Sequence, residues 1–209
     1  MKEVQGWWLP DQESHIGQYF DSVKQNMYQP VHQETALKHC KSFRTAVDIG
    51  AHVGLWARGL TEKFENVVCF EPCPEFADIL VKNAPKVNIL HRCALGQEKG
   101  FVKMDIALDN TGATHVARGA TGTTPVLTLD SFELNDVDFV KIDVEGYEYE
   151  VVKGGYETFK RNSPVVIVEQ KARYVVPEQG PHAAVRFLMR ELQYRVIDKV
   201  VDDWILRKV

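Results

Sequence analysis

Val47-Asp48-Ile49-Gly50-Ala51-His52-Val53-Gly54 is the stretch that decides the fold of this chain. An apolar strand runs into a glycine-bearing turn and then a helical segment. The next apolar run, Val67-Val68-Cys69-Phe70-Glu71, ends in a carboxylate. A strand, a tight turn, a helix and a second strand tipped by an acid make the layout of a nucleoside-binding α/β crevice. Gly50 and Gly54 let the backbone approach a ligand closely. Ribose hydroxyls donate hydrogen bonds, and Glu71 at a strand tip is a suitable acceptor. The alternative is a plain strand-to-helix turn beside a solvated acid.

The same residues narrow the ligand. A dinucleotide site reads G-x-G-x-x-G and turns a helix N-terminus toward a pyrophosphate. Here the order is Asp48-x-Gly50-x-x-x-Gly54, with an acid two residues ahead of the first glycine. That acid repels a pyrophosphate and suits a ligand that is cationic at this end. S-adenosylmethionine has such an end, with an ammonium and a sulfonium. A nicotinamide-type oxidoreductase is the rival reading, and the missing G-x-G-x-x-G argues against it.

Size and composition set the frame. The 209 residues suffice for one α/β domain with a large core. The 44% apolar and 26% charged fractions are those of a globular protein. A net charge of −4, from 25 Lys and Arg against 29 Asp and Glu, gives no basic field for nucleic acid or an anionic membrane. No apolar run reaches membrane-span length, and the first residues, Met1-Lys2-Glu3-Val4-Gln5-Gly6, lack the core of a signal peptide. Cys40, Cys69, Cys73 and Cys93 contain no C-x-x-C pair, which argues against a zinc ribbon. A reducing cytoplasm is the simplest compartment for these thiols.

Residues 1–42 mix polar side chains with Trp7, Trp8, Tyr19, Phe20 and Tyr28, and read as an N-terminal helical flap beside the main domain over 43–209. From Thr45 onward, short β-rich runs alternate with helical segments. Strands are expected at 45–50, 67–71, 87–92, 137–143 and 164–169, with helices at 54–64, 75–83, 146–154 and 181–192. Such alternation makes a parallel sheet with right-handed crossovers. Tyr194–Ile197 and Trp204–Arg207 read as a closing antiparallel hairpin. The expected fold is a Rossmann-like, seven-stranded, mostly parallel sheet with helices on both faces. Between 109 and 124 the core periodicity disappears in a run of Gly, Thr, Asn and Ala. A connection this long is either a loose surface loop or a substrate loop, with Asn110, Thr111, Gly112 and His115 as its polar candidates.

A second informative segment is Lys141-Ile142-Asp143-Val144-Glu145-Gly146. Asp143 ends one strand and Glu169 another. Carboxyl ends of parallel strands share one edge, so Asp48, Glu71, Asp143 and Glu169 are expected along one rim, with Asp143 near Glu169. Acids gathered on one edge require a cation nearby: a sulfonium, an ammonium, a metal ion, or Lys and Arg. Carboxylates alone do not show a metal. A metal-dependent hydrolase built on Asp143, Glu145 and Glu169 would leave the glycine turn unexplained.

Taken together, Val47–Gly54, Phe70-Glu71-Pro72, Thr128-Leu129-Asp130, the run from Lys141 to Glu148 and Val166-Ile167-Val168-Glu169 resemble the FkbM family of class I S-adenosylmethionine-dependent methyltransferases. The resemblance covers about residues 45–170 and leaves out 1–42 and the C-terminal hairpin. The family commonly has Asn where this chain has His52. The resemblance implies methylation of a hydroxyl on a sugar, a glycan or a natural-product-like small molecule, with S-adenosylmethionine as cofactor; the charge balance and apolar runs described above give the expectation of no nucleic-acid or membrane partner. It implies Asp48 steering the methionine end, directly or through a water. Gly50, Ala51, His52 and Gly54 would lie close to the cofactor, Glu71 and Pro72 at the ribose, and Cys93 and Ala94 near the adenine. Asp143 would lie by the transferred methyl. An alcohol is a poor nucleophile at neutral pH, so a base helps. His115, or Asp143 with Glu169, are the candidates. A non-catalytic binding subunit of the same fold is the other alternative; it predicts cofactor binding without turnover, or no binding at all.

Overall fold

The structure is a computed structural model and describes residues 1–23 and 27–208. The chain opens on an antiparallel hairpin, β1 (Lys2–Val4) and β2 (Trp7–Leu9), joined at Gln5-Gly6. Helices α1 (His15–Val23) and α2 (Pro30–Leu37) follow, with Pro30 in the first turn where its missing N–H is harmless. The expected helical flap is therefore part hairpin; its three-residue strands are too short to show a period in the sequence. Residues 24–26 of that flap lie outside the described residues. Trp7 is buried and stacks on Phe20 with ring centroids 5.3 Å apart, so these aromatics mainly pack. Tyr28 is the exception and reaches the cavity described below.

Seven strands form the central sheet. β3 (Thr45–Ile49) pairs in parallel with β4 (Asn66–Phe70), and β4 with β5 (Ile89–His91). On its other side β3 pairs in parallel with β11 (Val137–Ile142), and β11 with β12 (Val165–Glu169). The closing hairpin, β13 (Tyr194–Val200) and β14 (Asp203–Lys208), joins antiparallel through β14. The spatial order is β13-β14-β12-β11-β3-β4-β5, as the Rossmann-like reading requires. The order reverses between β3 and β11, which places a crevice beyond their carboxyl ends.

Helices α3 (Ala57–Leu60) and α4 (Pro74–Asn83) lie with α2 against one face; α5 (Glu148–Gly154), α6 (Tyr156–Asn162) and α7 (Ala183–Leu192) cover the other. Strand alternation sorts the two cores. Val47, Ile49, Val140 and Ile142 meet Val151, Phe159 and Leu188, whereas Ala46, Phe139 and Ile167 meet Ala57, Leu60 and Leu80. Burying each of the larger side chains contributes roughly 1.5–3 kcal/mol. The helix expected over 54–64 shrinks to Ala57–Leu60. Gly54 itself sits at φ +86°, outside helical backbone, and a Cβ there would meet Leu80 Cγ at 3.2 Å.

Between β5 and β11 lies a small second layer. β6 (Ala94–Leu95) and β7 (Gly100–Val102) flank β10 (Thr124–Leu127), and β8 (Met104–Asp105) pairs with β9 (His115–Val116). The 109–124 segment is thus partly ordered, with a helical turn at Thr111–Ala113 followed by β9.

Candidate active site

At the carboxyl edge the chain turns sharply after β3. The N–H groups of Gly50 and Ala51 donate to the Phe70 carbonyl at 3.0 and 3.1 Å, and the Asp143 N–H donates to the Ile49 carbonyl at 3.1 Å. Gly50 has φ +78°, and a Cβ there would fall 1.9 Å from the Asp143 carbonyl oxygen, so only glycine fits. Above this turn opens a cavity of about 360 Å³, within the usual size of a small-molecule site. Gly50, Ala51, His52, Glu71, Pro72, Cys93, Ala94, Asp143 and Glu169 all line it. His15 and Tyr28 from the N-terminal segment and Asn110, Thr111 and Gly112 from the long connection complete the wall. The substrate-loop alternative for 109–124 gains support from that placement.

Glu71 follows β4 directly and is buried. Its Oε2 accepts the His52 N–H and its Oε1 the Cys73 N–H, both at 2.8 Å. The Cys73 thiol donates to it as well, and burial still outweighs these three bonds and pushes its pKa up to about 7. Carboxylate lone pairs beyond those three bonds remain for a ligand. His52 holds φ +50°, and its Nε2 lies 3.0 Å from Thr111 Oγ1. Thr111 in turn gives its N–H and hydroxyl to the buried Glu13 carboxylate, each at 2.5 Å. Burial lowers the His52 pKa to about 4, so the ring is neutral at physiological pH.

Two of the expected cofactor residues do not reach the cavity wall. Asp48 is one residue before the end of β3, and strand alternation turns its side chain to the α2–α4 face, where it is fully buried. There its Oδ1 lies 3.9 Å from the Lys141 ammonium, and burial raises its pKa to about 6 against that cation. Neither Asp48 oxygen has a hydrogen bond of ordinary geometry. Gly54 packs on α4 instead of facing the cavity. The side chain that reaches the cavity above Asp48 is Lys141, its partner in the β3–β11 register.

The second acid cluster assembles as the strand order requires. Asp143 Oδ2 accepts from Lys141 at 3.2 Å and Asp143 shares a hydrogen bond with Glu169. Lys171 bridges Glu145 Oε1 at 2.7 Å and Glu169 Oε2 at 2.8 Å. Burial alone would raise the Asp143 pKa, but the Lys141 ammonium, the Glu169 bond and Lys171 hold it well below the usual carboxylate range. Glu169 moves the opposite way, raised by burial and by the Asp143 charge. The pair therefore carries one carboxylate, Asp143, and one carboxylic acid, Glu169, which donates.

His115 does not join this site. Thr114 and Val116 line the cavity, and the alternation of β9 sends the imidazole between them to the other side. Its Nδ1 lies 3.1 Å from the Ala113 carbonyl oxygen and its Nε2 3.8 Å from Asp105. Sequence reasoning missed Lys141, Lys171 and Tyr28. For Lys141 a signal existed: a lysine inside an apolar strand, two residues before Asp143, shares that strand's pattern with a buried acid on the neighbour. Tyr28 offered none.

The FkbM methyltransferase domain matches residues 48–196, more than half of the chain. The chain belongs to the FkbM methyltransferase family. The match runs past residue 170 and takes in the first half of β13. A relative, the hexuronic acid methyltransferase AglP of Haloferax volcanii, is 32% identical over 116 residues, covering 51% of this chain and 48% of that protein. The chain thus spans about half the length of this curated relative. Among solved structures, an FkbM methyltransferase from Methylobacillus flagellatus superposes with a TM-score of 0.56 at 18% identity, over 79% of this chain and 43% of that one. A precorrin-6y C5,15-methyltransferase from Geobacter metallireducens gives 0.51 at 13% identity over 90% and 94%. At those identities the structures establish the shared fold, that of class I methyltransferases. Among the described residues, no helix of this FkbM domain is long and apolar enough to cross a membrane.

Proposed function

We propose that this FkbM protein is an S-adenosylmethionine-dependent O-methyltransferase whose acceptor is a hydroxyl of a sugar, a glycan or a natural-product-like small molecule. The observation that carries the reading is one cavity with Glu71 at one end and the Asp143–Glu169 pair at the other. Glu71 lines the cavity and its remaining lone pairs suit the two ribose hydroxyls, and the Gly50 turn leaves room for a close ligand. Pro72, Cys93 and Ala94 wall the same end, where the adenine would lie. When bound, S-adenosylmethionine supplies an electrophilic methyl: a C–O bond forms on the acceptor, the S–CH₃ bond breaks with its electron pair left on sulfur, and the hydroxyl proton is released.

The chain's own residues then position and deprotonate. Asp143, kept ionised by Lys141, takes the hydroxyl proton. Glu169, kept protonated, steadies Asp143 through their shared hydrogen bond. His15 and Asn110–Gly112 contribute to the cavity wall. The sugar class rests on the likeness to the hexuronic acid methyltransferase. Methyl-labelled S-adenosylmethionine offered to a panel of glycans, uronic acids and hydroxylated natural products tests the reading. Label is expected on an acceptor oxygen, and Asp143→Asn should abolish transfer. S-adenosylhomocysteine binding without any labelled product would favour the non-catalytic subunit, and NAD binding in its place would overturn the assignment.

A further inference from the structure

Three carboxylates at the acceptor end, Asp143, Glu145 and Glu169, each offer an oxygen within 4.8 Å of the others. Such a set can hold a divalent cation. The structure puts a different cation there. Lys171 Nζ lies 2.7 Å from Glu145 Oε1 and 2.8 Å from Glu169 Oε2. Glu145 is held inward by a left-handed backbone at φ +52°, a conformation costly for a residue with a Cβ. Lys141 supports Asp143 from below at 3.2 Å, and Arg173 stands 3.9 Å from Glu145 Oε2.

Resting on the reading above, we propose that the Lys171 ammonium is the built-in cation of the acceptor half-site, in the place a divalent ion would take, and that its remaining N–H donates to the acceptor oxygen. An ammonium has three donors. Two are directed at Glu145 and Glu169, and Lys171 lines the cavity with its side chain 21% exposed. The third donor is thereby left for a ligand. A cationic donor on the acceptor oxygen favours loss of the hydroxyl proton, which Asp143, two residues from Lys141 on the same strand end, receives; Lys171 itself exchanges no proton. The charges also balance without a metal. With Glu169 protonated, Asp143 and Glu145 face Lys141 and Lys171. A divalent ion would enter against two ammoniums and the Arg173 guanidinium.

The test is Mn²⁺ titration followed by electron paramagnetic resonance, on wild type, Lys171→Met and Lys171→Gln, each with S-adenosylhomocysteine present. Wild type should take up no Mn²⁺ at the cluster. Both variants should bind it at least about tenfold more tightly, by more than the 1.4 kcal/mol that defines a decade, and adding Asp143→Asn should remove the gain. Equal Mn²⁺ affinity in wild type and variants would overturn the proposal. S-adenosylhomocysteine calorimetry on the same samples checks folding; wild type failing to bind it would sink the methyltransferase reading separately. With a labelled acceptor in hand, Lys171→Met should lower kcat by about a hundredfold, equivalent to 2.7 kcal/mol at 1.36 kcal/mol per decade, and Mn²⁺ should restore part of it. A kcat within a few-fold of wild type would reduce Lys171 to a structural ion pair.

Discussion

Glu71 and Asp48 both read from the sequence as acids at strand tips, and two residues of register separate their fates. Glu71 lies just past Phe70, the last residue of β4, and faces the cavity. Asp48 lies before Ile49, the last of β3, and is buried within the strand on the α2–α4 side. The acid-tipped strands were legible; whether each acid lies inside its strand or just beyond it was not, because that depends on where each strand stops. Glu71→Ala should weaken S-adenosylhomocysteine binding by about 1–3 kcal/mol, the scale for losing a charged hydrogen-bond partner. Calorimetry giving wild-type affinity would mean that Glu71 holds only the His52 and Cys73 amides. His115 is the matching control. Because it sits beside Asp105 off the cavity wall, His115→Ala should change methyl transfer by no more than about twofold, in keeping with surface substitutions of about ±0.5 kcal/mol.

At the scale of elements, the alternation from β3 to α7 followed from apolar runs punctuated by Gly and Pro, and the pairing of β11 with β12 brought Asp143 to Glu169 as expected. The N-terminal hairpin was not legible. What fixes it is a set of bonds spanning 75 residues: Asn83, at the end of α4, accepts the Trp8 N–H at 2.7 Å and donates to the Trp8 carbonyl at 2.8 Å. It also donates to the Val53 carbonyl at 2.8 Å, so one buried amide ties the hairpin, the β3 turn and α4 together. No local periodicity encodes such a link. Asn83→Ala leaves one buried and two part-buried backbone groups without this partner and should destabilise the protein by about 1–3 kcal/mol, read from urea unfolding. A loss below about 0.5 kcal/mol, the range of neutral surface changes, would show that the hairpin is held by apolar packing alone.

Across the whole molecule, several buried acids are only partly ionised at neutral pH. Burial pushes Glu71, Glu148 and Asp203 each up to about 7, from 4.5, 4.5 and 3.8. In the unfolded chain all three are ionised by pH 6.5, so between pH 6.5 and 8.5 the folded state holds the extra protons and loses them. Stability must then fall as pH rises through that window, by about 1–3 kcal/mol in total. The lowered His52, His32 and His91 oppose it in part at the start of the window, where their unfolded imidazoles, with pKa 6.5, are still half protonated. Glu148→Gln keeps a carbonyl oxygen for the Gly146 N–H and should flatten the decline. Denaturation at both pH values decides it; constant or rising stability would mean that these carboxyls are not desolvated.

The seven-stranded sheet, its order reversal beside β3 and the cavity above it all serve one claim: the carboxyl edge holds an adenosyl compound. A crystal structure of the protein with S-adenosylhomocysteine tests that claim most directly. The ribose hydroxyls should lie within hydrogen-bonding distance of Glu71, the adenine against Pro72, Cys93 and Ala94, and the sulfur toward Asp143. The compound bound outside this cavity, or with its ribose away from Glu71, would contradict it.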